Sequence, residues 1–170
     1  MDKKAKIIIL RGNSGSGKTT VARLLQKKFG HGTLLISQDV IRREILYVKD
    51  GIETKALPLL IELVKYGKEN CDIVILEGIL KADWYRELFE QIKMEFGQEI
   101  YAYYYEVPFE ETLKRHQTKP NCNEFGEEEM KRWWNEKDYI DIIPEKIITT
   151  EFSLNKTVDM IFQDVVNELF

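Results

Sequence analysis

The stretch Gly12-Asn13-Ser14-Gly15-Ser16-Gly17-Lys18-Thr19 constrains this chain more than any other. It fits G-x-x-x-x-G-K-S/T without a departure, and each position has a physical task. Glycines let the backbone turn tightly and bring several N–H groups towards one point. Amides converging at the start of a helix, reinforced by its dipole, make an anion site. A lysine ammonium there reaches the β- and γ-phosphates of a nucleoside triphosphate, and a Thr19 hydroxyl is a hard oxygen ligand for Mg²⁺. The flanks agree. Lys6 to Leu10 is a continuous apolar run suited to a strand buried on both faces. Val21, Leu24, Leu25 and Phe29 follow at helical spacing, and Gly30 and Gly32 mark the stop. A dinucleotide fingerprint fails, because Thr20 stands where G-x-G-x-x-G needs its last glycine.

The rest of the chain alternates short apolar runs with longer amphipathic ones. Further strands are predicted over residues 33–36, 72–76, 100–107 and 146–150, and helices over 39–48, 53–68, 82–96, 109–116, 127–137 and 157–169. Such alternation argues for a parallel sheet covered on both faces. The expected fold class is α/β: a three-layer sandwich with a five-stranded parallel sheet, a P-loop NTPase of nucleoside/nucleotide-kinase type. A single domain is expected over residues 1–170, with a small lid at about 114–135, where a polar, irregular stretch precedes the last strand. Tyr103 to Tyr105 read as a strand with a core face and a surface face, and Trp133 and Trp134 as packing anchors of the lid helix.

Bulk properties narrow the partners. The 170 residues carry a formal charge of −4, which disfavours non-specific nucleic-acid binding. Cys71 and Cys122 lie far apart without metal-ligand spacing, so reduced thiols are expected. No apolar run approaches the roughly 20 residues of a membrane helix, and the first is too short for a signal peptide. A cytoplasmic protein without a membrane partner is the expectation.

The acceptor side is read from the strand ends, where open α/β sheets bind ligands. Asp39 follows the second strand and is placed to accept the proton of an attacking hydroxyl. Arg42 and Arg43 lie three and four residues on, so one of them is expected to share its helix face and hold an acceptor's phosphate or carboxylate. Glu77 closes the third strand in DIVILEG, which resembles a Walker B strand, and the resemblance implies that its carboxylate orients a Mg²⁺-bound water or contacts the acceptor. In the lid, Arg115 is the first candidate to stabilise charge on the transferring phosphoryl group, followed by Arg132 and Lys119. The nucleotide-binding set is Gly12 to Thr19 together with Thr20, and Lys18, Asp39 and Arg115 are the expected catalytic groups.

Several of these segments resemble known families. Ser37, Asp39 and Arg42, as S-x-D-x-x-R, resemble the acceptor motif of polynucleotide 5′-hydroxyl kinases. That resemblance implies Asp39 as general base and Arg42 as holder of a substrate phosphate. Zeta-toxin-like and chloramphenicol-phosphotransferase-like kinases share an Asp in this place. Ile36-Ser37-Gln38-Asp39 and Glu77-Gly78-Ile79 are similar to uridine kinases, with Val40-Ile41 replacing their Phe-Tyr pair. The segments VPFEETLKRH and EFGEEEMKRWW resemble the lid of the AAA_33/zeta-like kinase group. Together these imply a P-loop kinase using ATP and Mg²⁺ to phosphorylate a hydroxyl of a small molecule: a nucleoside, a sugar-nucleotide or an antibiotic-like acceptor. A polynucleotide 5′-hydroxyl end and a regulatory NTPase without acceptor are the two alternatives.

Overall fold

The computed structural model describes residues 3–120 and 122–170. Five parallel strands form one sheet in the order β2-β3-β1-β4-β5: β1 (Lys6–Gly12), β2 (Leu34–Ser37), β3 (Ile73–Gly78), β4 (Ile100–Tyr105) and β5 (Lys146–Ile148). The helices are α1 (Lys18–Phe29), α2 (Gln38–Val40), α3 (Ala56–Asn70), α4 (Arg86–Phe96), α5 (Phe109–Gln117), α6 (Glu127–Arg132) and α7 (Leu154–Val166). A π-helical turn, Ile41–Ile45, continues α2. The expected α/β sandwich with its P-loop is the fold.

Alternation along the central strand builds two cores. Ile7 and Ile9 join Val74, Leu76, Leu60, Val64, Phe89 and Ile92 on the face covered by α3 and α4. Ile8 and Leu10 join Ile75, Val21, Leu25 and Ile161 on the face covered by α1 and α7. An uninterrupted apolar run is therefore what β1 requires. The same logic corrects the reading of β4. All six of its residues are buried, Tyr101, Tyr103 and Tyr105 on one face and Ala102 and Tyr104 on the other. The tyrosine run has no surface face, because α7 covers one side of β4 and residues 139–143 pack against the other.

Arg11, at the tip of β1, was not singled out by sequence, yet it is fully buried at 0% exposure. Its guanidinium donates to Asp138 at 2.8 Å, to Glu145 at 2.7 Å and twice to the Leu80 carbonyl. Phe89 and Tyr104 present their rings to it at 5.3 and 5.5 Å. Burial pushes the Glu145 carboxyl up, and Arg11 pulls it back down. Arg11→Met leaves the buried Glu145 and the half-buried Asp138 without their cation, so we expect a loss of about 3–5 kcal/mol in urea unfolding.

Several predicted helices differ in extent: 53–68 is found at Ala56–Asn70 and 157–169 at Leu154–Val166, and three others differ more. The predicted helix at 39–48 narrows to α2 and then widens: Leu46 N–H reaches back five residues to the Ile41 carbonyl at 2.9 Å, and Tyr47 ends it at φ 53°. The helix expected from residue 82 begins at Arg86, after turns over residues 82–85 in which the Ala82 amide donates to Asp138. The helix expected through 137 stops at Arg132, since the Asn135 amide that would extend it donates to the Asn13 side chain at 2.7 Å.

Candidate functional site

The loop between β1 and α1 stands at the carboxyl end of the sheet, beside the tips of β3 and β4. Its glycines are dictated by packing. At Gly15, φ is 81° and an added Cβ would lie 2.4 Å from the Thr112 carbonyl oxygen; at Gly12 it would lie 2.8 Å from Tyr105 Cβ. Among the described residues, the amides of Gly15, Gly17, Lys18 and Thr19 donate to no protein group. Buried N–H groups are normally paired, so such a cluster is suited to an anion's oxygens. Ser14 is half-buried, and Thr20 is exposed on the first turn of α1.

Lys18 lies across this loop, 7% exposed, with Nζ donating to the Asn13 carbonyl at 3.0 Å and the Ser16 hydroxyl at 3.4 Å. Burial, the largest influence, lowers its pKa from 10.5 to about 8; Glu77 raises it, Lys119 lowers it and Asp39 raises it. The sign has two consequences. Between about pH 8 and 10.5 the unfolded chain holds a proton that the folded one has released, so the nucleotide-free protein gains stability as pH rises there. A phosphate ligand needs the ammonium, so we expect affinity for MgATP to fall above pH 8, by about tenfold per pH unit. Titration calorimetry from pH 7 to 10 measures this.

Glu77 is 2% exposed, and its Oε1 accepts from the Ser37 hydroxyl at 2.6 Å and from Thr19 at 3.1 Å. The register explains the meeting: Glu77 pairs with Leu10 on one side and Ser37 on the other. One carboxylate and one hydroxyl beside a phosphate cradle suit Mg²⁺, which keeps most of its shell in waters and phosphate oxygens. No cluster of three or more His, Cys, Asp or Glu that could hold an ion by itself occurs among the described residues.

Asp39 lies two residues beyond β2, in α2. Arg42 Nη2 and Arg43 Nε both donate to its Oδ1, at 2.9 and 2.8 Å. Sequence spacing expected one arginine on this face; both reach it, as side chains three and four residues on along a helical segment can. The Arg42 Nε is buried without a partner among the described residues. Beside Asp39, Gln38 donates to Asp50 and Tyr85, and Tyr85 donates to Asp50, a half-buried triangle that sequence spacing gave no means of finding.

The expected lid cations divide. Arg115 donates to the Ser16 carbonyl of the loop and pairs with Glu111 at 3.3 Å. Lys119 is held below the ordinary lysine range by burial, with Glu77 and Asp39 both opposing that shift. Arg132 lies elsewhere: its side chain is 72% exposed and faces Glu129 at 3.8 Å. Trp134 packs edge-on against Phe109 and Trp133 against Phe125. Asn13, at a variable position of the loop, also donates to the Asn135 carbonyl at 2.7 Å.

The AAA_33 family model, described as an AAA domain, matches residues 7–135. No curated protein matches the chain in sequence. Among solved structures, the Mycobacterium tuberculosis APS kinase in complex with AMPPNP and APS superposes with a TM-score of 0.68 at 18% identity, covering 98% of this chain and 99% of that one. A gluconokinase from Sinorhizobium meliloti 1021 gives 0.63 at 13% identity, covering 98% and 95%. The shikimate kinase of Acinetobacter baumannii in complex with shikimate gives 0.61 at 17% identity, covering 99% and 97%. At such identities the likeness is one of fold.

Proposed function

This chain belongs to the AAA_33 family and has the fold of P-loop small-molecule kinases, and from that premise we propose that it transfers the γ-phosphoryl group of ATP to a hydroxyl of a small molecule. The observation that carries the reading is Asp39. A carboxylate fixed through one oxygen by two arginines, beside a phosphate cradle, suits a proton acceptor. An NTPase switch has no need of it.

In this reading the loop amides and Lys18 hold the β- and γ-phosphates, and Thr19 with Glu77 holds Mg²⁺. When bound, the ion neutralises charge on the phosphate oxygens and aligns them. Asp39 Oδ2 takes the acceptor's proton as its oxygen forms a bond to the γ-phosphorus and the bond to the β-bridging oxygen breaks, releasing ADP. Arg42, with its free Nε–H, holds an anionic part of the acceptor. Arg115 and Lys119, carried by a lid spanning about residues 114–135 of a single domain, stabilise the transferring group and exclude water. The two cysteines are free, and no helix among the described residues is long and apolar enough to cross a membrane. A cytoplasmic location suits both.

The test is a screen of ADP release across nucleosides, nucleotides, oligonucleotides, aminoglycosides and amino sugars, with Lys18→Ala as the blank. We expect one class to raise release about tenfold or more above the rate with water. An oligonucleotide hit with steep salt dependence would assign a polynucleotide end instead. Release unchanged by every acceptor would reduce the chain to an NTPase.

A further inference from the structure

We propose that Arg43 is a positioning residue that makes the orientation of the Asp39 carboxylate depend on the lid being down. The kinase reading gives Asp39 its task; the coupling itself rests on geometry alone. While its Nε donates to Asp39 Oδ1 at 2.8 Å, the Arg43 guanidinium lies 5.2 Å from the ring centre of Phe125 and 5.8 Å from that of Trp133. These two rings meet edge to face at 5.0 Å. Phe125 belongs to an irregular loop, yet it is only 9% exposed. It stacks on His116 at 4.3 Å, and its carbonyl lies 2.7 Å from His116 Nε2.

One line of contacts thus runs from α5 through Phe125 to Arg43 and Asp39. Arg42 makes no such link, since its other bond goes to the Val48 carbonyl of the same segment. A planar guanidinium can offer its edge to a carboxylate and its face to a ring at once, which an ammonium cannot. Lifting the lid removes the rings from Arg43, whose side chain is already 31% exposed, and leaves Asp39 to Arg42. The proton acceptor is then aligned only when water is excluded, which limits transfer to water.

The experiment uses the full chain without nucleotide or acceptor. In Arg43→Ala, amide hydrogen exchange over residues 122–133 should rise by about tenfold while α1 and α7 keep their wild-type protection. Arg43→Lys should match Arg43→Ala within about twofold, because lysine has no flat face. The converse arm starts from the lid: Phe125→Leu leaves both Asp39 and Arg43 in place. Exchange of the Arg43 Nε–H, followed by ¹⁵N NMR, should nevertheless accelerate by about fivefold. A packing role for Arg43 confined to the lid would leave that proton as protected as in the wild type, and such a result overturns the proposal. So does wild-type lid exchange in Arg43→Lys. Should Arg43→Ala fail to fold, the Phe125→Leu arm decides alone. Because no ligand enters the experiment, a negative outcome leaves the kinase reading standing, and absence of MgATP binding leaves the coupling standing.

Discussion

Asp39→Asn is expected to lower acceptor-dependent ADP release by about 10²–10⁴-fold, the usual contribution of a general base, while MgATP affinity stays within about threefold of wild type. The substitution is chosen for what it preserves. Asparagine keeps an oxygen where Arg42 and Arg43 donate to Oδ1, so the arginine clamp and α2 persist. It replaces Oδ2 by an amide nitrogen that cannot take up a proton. Steady-state rates with the acceptor from the screen, beside binding of a fluorescent ATP analogue, separate the two effects. Wild-type turnover in the variant would remove Asp39 from the chemistry.

Lys18→Met should act in opposite directions on function and stability. We expect MgATP affinity to fall by about a hundredfold, because a cation facing the β- and γ-phosphates is lost. The nucleotide-free protein should become more stable by about 1–3 kcal/mol at pH 7. The reason is the buried ammonium, whose pKa of about 8 records the cost of keeping it charged away from water. Methionine fills similar space without that cost, and the lost bond to the Asn13 carbonyl offsets part of the gain. Urea unfolding with and without MgATP reads both signs. A variant less stable than wild type would mean that Lys18 holds the loop together rather than waiting for a ligand.

The sequence spoke most clearly where local chemistry decides conformation. The bounds of α1 agree with its predicted extent because glycines punctuate both ends and an apolar stripe runs between them. β1, β3 and the sheet's parallel sense were legible from continuous apolar runs separated by helices. Elements whose limits depend on distant partners were less legible. α6 ends where Asn13, more than a hundred positions away, takes an amide. Arg11 gave no signal, since the acids that justify burying it lie at 138 and 145. At the candidate site, Glu77 and Asp39 could be placed from their strand ends. The meeting of Glu77 with Thr19 and Ser37 needed the strand register, whereas the arginine clamp follows the ordinary i,i+3 and i,i+4 spacing and exceeded expectation only in using both side chains.

The bond pair between the Asn13 amide and the Asn135 backbone changes what the glycine motif permits in this chain. The general pattern leaves the second position open to any residue. Here that position is occupied by a hook for the far end of a long excursion, while Gly15 beds against its near end at Thr112. Transplanting the equivalent eight residues from another nucleotide-binding protein would reproduce the grip on phosphate and unfasten the cover above it. In this molecule the cradle and its cover are joined.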